Sequence, residues 1–344
     1  MNILMPKNAR RVTPTVLYNN KDISADLNQY LKSISYTDNM TGQADDLQLV
    51  LADVEHLWAG SWQPELGAKL TVSWQLENWG DDVAPIIFKA GVFELDEISC
   101  TFGPSQADIK AVSVPDNNTL RGVEHTKSWE KATLKKVGKD IADGAKMELV
   151  YEPSYEINYD RVEQADESDL AFLDKLCRDA GLALKICNEK LVIFDEAVYE
   201  QAKPVLTISR TASDLSDARF THKLRDTYKA CHVKYQKSKT KKLIEFTFKA
   251  PDKTTGKTLK VKEEVSSVAE AERLAKKRLR EKNCEEITAS FSCAGNTKLV
   301  ASATVNVTGY GAFDGKYIIV RAQHDISSSG YRCSIDMRRC LNGY

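Results

Sequence analysis

Residues 164–186 read QADESDLAFLDKLCRDAGLALKI. Asp166, Glu167 and Asp169 crowd the start of this stretch, and Asp174 follows. The crowding reads either as an acidic catalytic cluster or as the first turn of a helix. Ser168 or Asp166 can cap a helix, and carboxylates are favoured where the helix macrodipole is positive. Leu170, Leu173, Cys177 and Ala180 then repeat on one apolar face, with Phe172 and Leu176 beside it. Arg178 falls in the last turn and Gly181 at the position where a left-handed residue ends a helix. LALKI and KLVIF follow as a hairpin joined through Cys187-Asn188-Glu189. Each acidic residue has a local structural task, so the stretch predicts a capped helix on a hairpin, not an active site.

In 344 residues, 42% are hydrophobic and 28% charged, enough to build cores in two to three domains. With 48 basic and 49 acidic side chains the net charge is −1, so no global field favours nucleic acid or anionic membrane. MNILMPKNARR at the start lacks a signal-like apolar core, and no apolar run has spanning length. These features predict a protein made in a cytoplasm.

Short alternating strands fill residues 12–115: TVLYN, LKSISYTD, DLQLVLAD, GAKLTVSW, APIIFKAG, VFELDEIS and ADIKAVSV. Leu47, Leu49 and Leu51 share one face, and turns recur at barrel or sandwich spacing. Thr133 caps a second predicted helix with Leu134, Val137 and Ile141 inward and Gly144 at its end. After residue 205 strands return, with one long helix opened by Ser267 and Glu270 in capping-box spacing. Its predicted stripe is Val268, Ala271, Leu274, Ala275 and Leu279, and its cations gather at the C-terminal end. All five tryptophans lie at or before Trp129, whereas lysine and arginine are dense from 223 to 282. GVFELDEISCTFGPSQADIKAVSV (91–114) is echoed by GAFDGKYIIVRAQHDISSSGYRCSIDMRR (311–339). Each follows a Lys-Leu pair, Lys69-Leu70 and Lys298-Leu299, read as part of a preceding strand. The echo predicts two barrels of related topology.

The search for chemistry finds no site. Eight cysteines (Cys100, Cys177, Cys187, Cys231, Cys284, Cys293, Cys333, Cys340) form no CxxC pair, and five histidines are scattered. Free, mostly buried thiols are expected, with no metal. PDKTTGKT (251–258) contains a GKT, but Pro251 stands where a phosphate loop needs glycine, so a hairpin turn is expected. GYGAFD (309–314) lacks the third glycine of a dinucleotide fingerprint. KYQKSKTKKL (234–243) is a lysine-rich loop with little aromatic interleaving, read as a solvated tip or as a contact for an acidic surface or nucleic acid. No catalytic, cofactor-binding or metal-binding residue is therefore nominated.

Four ordered blocks carry a resemblance. DISADLNQYLKSISYTDNMTGQADDLQLVLADVEHLWAGSWQPELGAKL (22–70) resembles the opening of hub proteins from contractile phage tails. TLRGVEHTKSWEKATLKKV (119–137) and VEQADESDLAFLDKLCRDAGLALKICNEKLVIFD (162–195) resemble the late-control protein D family. EAERLAKKRLREKN (270–283) with the stretch 287–337 is similar to that family's C-terminal domain. The same architecture occurs in the N-terminal part of type VI secretion spike proteins, from which this chain is expected to differ by carrying no β-helical needle and no appended lysozyme or peptidase domain.

The resemblance implies a structural protein, mainly β (α+β). It implies a first tube-forming β-barrel at 1–118 and a small α+β domain at 119–204, with helices near 133–142 and 169–180 and hairpin 182–194. A second tube barrel follows at 205–344 with a helix near 268–282. It further implies a homotrimeric baseplate hub, in which two barrels per chain match a six-fold tube to a three-fold spike. The implied partners are itself, the spike protein, the tail tube or tube initiator, other baseplate proteins and a tape-measure protein in the lumen. A near-neutral lumen wall would not trap passing DNA or protein. The implied location is the virion tail baseplate or a phage-tail-like particle, without enzymatic activity, cofactor, membrane span or specific nucleic acid. Two alternatives stay open at the level of residues. One is a tail-associated cell-wall hydrolase, distinguished by activity on purified wall. The other is a nucleic-acid-binding β-rich protein, distinguished by salt-dependent binding to generic DNA.

Overall fold

The computed structural model describes residues 9–79, 84–114, 120–212, 215–236, 243–265 and 267–344. The chain divides into two compact units: residues 1–195, 294–300 and 321–334, and residues 196–293, 301–320 and 335–344.

The first unit begins with β1 (Arg11–Tyr18), β2 (Lys21–Asp22), the short helix α1 (Ser24–Asn28), β3 (Leu31–Asn39) and β4 (Asp46–Ala52). It continues with β5 (Lys69–Glu77), β6 (Ile86–Phe102) and β7 (Ser105–Val112). These strands pair antiparallel in the order β3-β4-β7-β6-β5-β1-β2. Alternation decides the core: Leu47, Leu49 and Leu51 of β4 are buried, as are Leu70, Val72, Trp74 and Leu76 of β5. Tyr36 on β3 meets Trp74 on β5 with centroids 6.4 Å apart, although three strands separate β3 from β5 in the sheet. The sheet is therefore rolled around an aromatic core, although no ladder closes β2 onto a further strand among the described residues. The outer edge of β1 is covered: Pro14 lacks an N–H, Asn28 Nδ2 donates to its carbonyl, and Ser24 Oγ accepts from Val16 N.

APIIFKAG and VFELDEIS, read as two strands, form the single 17-residue β6. The register shifts beside Gly91, whose φ of 130° suits a residue without Cβ. A Cβ there would also stand 2.8 Å from Asn188 Oδ1. A bulge thus lets the strand continue where the sequence reads as a break.

Resting within the same unit are β8 (Glu124–Thr133), α2 (Leu134–Gly144), β9 (Glu148–Tyr151), β10 (Asn158–Ser168), α3 (Asp169–Ala180), β11 (Ala183–Cys187) and β12 (Lys190–Phe194). Thr133 Oγ1 accepts from Lys136 N at 3.1 Å and Ser168 Oγ from Ala171 N at 3.3 Å, so both expected caps form. Gly181 ends α3 with φ 77°. Trp129 of β8 stacks on Phe172 of α3, and both helices share one buried core with the β11–β12 hairpin.

The second unit starts with α4 (Glu196–Gln201), β13 (Leu206–Ser209) and β14 (Leu215–His222), then β15 (Tyr228–Gln236), β16 (Leu243–Lys249) and β17 (Lys257–Val261). It ends with α5 (Val268–Asn283), β18 (Ile287–Ala294) and β19 (Thr304–Thr308). The strands β20 (Gly315–Ser327) and β21 (Gly330–Arg339) run from one unit into the other. β14 pairs antiparallel with β18, and β19 pairs parallel with β13 and antiparallel with the start of β20. The later residues of β20, from Arg321, pair with β3 inside the first unit.

α5 lies on the β16-β15-β17 sheet through Ala271, Ala275 and Leu279. Val268 departs from the expected stripe: as the first helical residue it is 54% exposed, short of the sheet. The GKT segment is not a hairpin turn. Residues 250–256 carry the chain past β15, and Lys257 and Thr258 open β17, which joins that strand parallel on the edge opposite β16. Lys298 and Leu299 also fall in a turn, so the strand before β20 is β19 and the echo keeps its long strand and hairpin but not its Lys-Leu strand.

Candidate functional site

The acidic run does not converge on a common point. Asp166 accepts from Thr126 Oγ1 at 2.6 Å, Glu167 pairs with Lys175 at 3.4 Å, and Asp174 pairs with Arg178 one turn on at 2.8 Å. Only Asp169 is buried. Its Oδ1 accepts from Gln164 Nε2 at 2.8 Å and meets His125 Nδ1 at 3.0 Å, with Lys127 Nζ at 3.9 Å. Periodicity alone could not show this cluster. The β8–β10 register, which sets His125 opposite Glu167, brings it together.

A cavity of about 440 Å³ lies beside α3, lined by Gly42, Gln43, Arg121, Ser168, Leu170 and Asp174 among others. Arg121 Nη1 is buried without a hydrogen-bond partner. Ser168 Oγ and Asp174 are occupied by the cap and by Arg178, so the lining offers no nucleophile with a base.

A cysteine–histidine contact, also missed in the sequence, joins Cys333 of β21 to His324 of β20. The Sγ stands 3.2 Å from His324 Nδ1, which also meets Tyr331 Oη at 2.7 Å. Burial pushes the thiol up to about 11 and the imidazole down to about 4, so both are neutral near pH 7. An activated thiol needs the opposite shifts. His324 instead packs among Tyr36, Phe88 and Trp74 as part of the aromatic core.

Elsewhere polar groups serve internal order. In the second unit Glu200 accepts from Arg280 Nη2 at 2.6 Å, from Leu341 N at 2.9 Å and from Arg338, which also holds Glu196 at 2.6 Å. Burial opposes the Glu200 charge, yet Arg338 and Arg280 hold its carboxyl below the usual range. The α5 cations are partly neutralised: Arg278 binds Glu263 and Glu281, and Lys276 binds Glu272. The lysines of 237–242, at the tip of the loop read as a contact, lie outside the described residues. Among the described residues no three metal-binding side chains gather, all eight cysteines are free, and no helix is long and apolar enough to cross a membrane.

What remains exposed is surface of another kind. Between β4 and β5, Val54 and Leu66 are 77% and 64% exposed, and Phe102 at the β6–β7 turn is 67% exposed against His56. The Asp169 and Glu200 carboxylates are thus bonded within the chain, while Val54, Leu66 and Phe102 stay exposed.

The family model for the phage tail baseplate hub (GPD) matches residues 52–330, and the chain belongs to that family. The probable baseplate hub protein of Escherichia phage P2 is 26% identical over 230 residues, covering 66% of this chain and 57% of that protein. Its counterpart in Escherichia phage 186 is 27% identical, covering 65% and 56%. This chain thus spans little more than half the length of either relative. Among solved structures, the 43 kDa tail protein of prophage MuSo2 from Shewanella oneidensis superposes with a TM-score of 0.71 at 13% identity, over 95% of this chain and 97% of that one. The tail protein from Neisseria meningitidis MC58 gives 0.70 at 13% identity, over 95% and 96%. A component of the E. coli type VI secretion system gives 0.59 at 12% identity, over 92% and 75%. The fold is that of tail proteins.

Proposed function

We propose that this chain is a structural baseplate hub of a contractile phage tail or phage-tail-like injection particle. Three copies form a ring that joins the tail tube to the central spike and adapts six-fold to three-fold symmetry. The observation that carries this reading is the family match over residues 52–330, on a fold shared along 95% of the chain with tail proteins. In this reading residues 1–118 and 205–344 are two tube-forming barrels and residues 119–204 a small α+β domain between them. The aromatic core rolled inside β3–β7 supports the first barrel. The long-strand hairpins β6–β7 and β20–β21 support the relation between the two. The core shared by α2, α3 and the β11–β12 hairpin supports the small domain.

The hub acts without enzymatic chemistry. The neutral Cys333–His324 pair and the Asp169 carboxylate held by Gln164 and His125 support this. Its partners are other copies of itself, the spike, the tube or its initiator, neighbouring baseplate proteins and a tape-measure protein. Co-expression with the spike protein of the same particle tests the assignment. A stable complex with equal numbers of hub and spike chains is expected. Failure to associate with both spike and tube protein would remove it.

A further inference from the structure

The first unit contains a buried ionic junction that its scaffold role does not require. Lys185, on β11, reaches out of its hairpin to the β3–β4 corner. Its Nζ donates to Asp38 Oδ1 at 2.6 Å, to Asn39 O at 2.6 Å and to Asp45 Oδ1 at 3.0 Å. Its side chain is 16% exposed, and those of Asp38 and Asp45 are 9% and 3% exposed. Two neutral bonds flank the ammonium: Thr41 Oγ1 donates to Leu184 O at 3.1 Å and Ser113 Oγ to Ile186 O at 2.9 Å. The hairpin is thus latched to the barrel sheet at one polar seam.

The charges in this seam do not balance. Asp38 comes from β3, Asp45 from the corner and Asp46 from β4, and Lys185 comes from β11. Arg321 on β20 acts on Asp46. Two buried carboxylates, Asp38 and Asp45, face one largely buried cation, Lys185, while Asp46 is exposed and is answered by Arg321. The other titratable groups nearby are Tyr36, Cys187 and His324. Burial and the neighbouring carboxylates raise Tyr36, burial raises Cys187, and burial keeps His324 neutral. Ser113 of β7 adds no charge. A buried site with one anion in excess favours taking up a proton.

We propose that the Asp38–Lys185–Asp45 junction is a pH-responsive latch, in which protonation of Asp45 tightens the β11–β12 hairpin against the β3–β4 corner and deprotonation loosens it. Burial, opposed by Lys185 and assisted by Asp38, raises the Asp45 carboxyl to about 7, in line with this geometry. The sign follows from linkage. The closed state holds the Asp45 proton more tightly than the open state, so closure is favoured most below the carboxyl's ordinary value. That advantage is lost as pH rises through the closed-state value. His324 has the opposite dependence, with its neutral form favoured on raising pH toward 6.5, so only a comparison with an Asp45 variant isolates the latch.

The test is amide hydrogen exchange of the full chain at pH 6 and pH 8, with rates converted to protection factors for β11 and β12. Protection should fall about tenfold across that interval in the native chain and stay level in Asp45→Asn. Equal behaviour of the two chains would overturn the latch. Should Asp45→Asn fail to fold, carbon-13 titration of the aspartate carboxyls in the native chain decides. One carboxyl titrating near neutrality is expected, and all of them titrating below pH 5 would overturn the proposal.

Discussion

Lys185 Nζ lies 2.6 Å from Asp38 Oδ1, a contact between residues 147 positions apart in the chain. It ties the hairpin after α3 to the sheet that precedes it. Lys185→Met would leave Asp38 and Asp45 buried without their shared cation. Loss of one partner of a buried pair costs about 3–5 kcal/mol. The denaturation midpoint should fall accordingly, and adding Asp45→Asn to Lys185→Met should restore part of the loss.

Gly295 has no room for a side chain. A Cβ would stand 2.1 Å from the Tyr331 ring, while Gly295 N donates to Tyr331 O and Gly295 O accepts from Trp79 Nε1 at 2.8 Å. Gly295→Ala must displace Tyr331 from the aromatic core or break the backbone bond. A loss of about 1–3 kcal/mol is expected, as for overpacking. Thermal unfolding followed by tryptophan fluorescence reads both effects, because Trp74 and Trp79 contact Tyr331.

Glu200 makes the second unit acid-sensitive. Its folded-state carboxyl sits below the ordinary glutamate value. Its contribution to stability is therefore present above that ordinary value and lost as pH falls through the folded one. Glu200→Ala leaves Arg280 and Arg338 without their shared anion and should cost about 3–5 kcal/mol at neutral pH. The variant should also show a flatter decline of stability in acid than the native chain. Circular dichroism melts at a series of pH values check both points.

Cys333 should resist alkylation. The thiol is buried and titrates near 11, so iodoacetamide at pH 8 should label it only when the chain unfolds. Mass spectrometry of the labelled peptides reads this directly. Rapid labelling in the native state would contradict the neutral pairing with His324.

Legibility in the sequence followed the range of the interactions. Ser168, Thr133 and Gly181 act within one turn of their helices, and the sequence places Thr133 and Gly181 outright and leaves the α3 cap between Ser168 and Asp166, of which Ser168 forms it. Leu47, Leu49 and Leu51 alternate within one strand and are buried as read. The bulge at Gly91 was hidden because a glycine inside a strand reads as a break. The PDKTTGKT stretch reads as a hairpin turn because the parallel pairing of β17 depends on β15, which lies a whole strand earlier. His324 looked like a scattered histidine, since its neighbours Tyr36, Trp74 and Phe88 lie hundreds of residues earlier. The Glu200 and Lys185 clusters were invisible for the same reason. Both join charges that only the folded chain brings together.

Negative-stain imaging of the purified chain, alone and with its spike, tests the ring assembly most directly. Rings with a central hole and a three-fold or near six-fold outline are predicted. Compact single-copy particles that persist in the presence of the spike would contradict the hub.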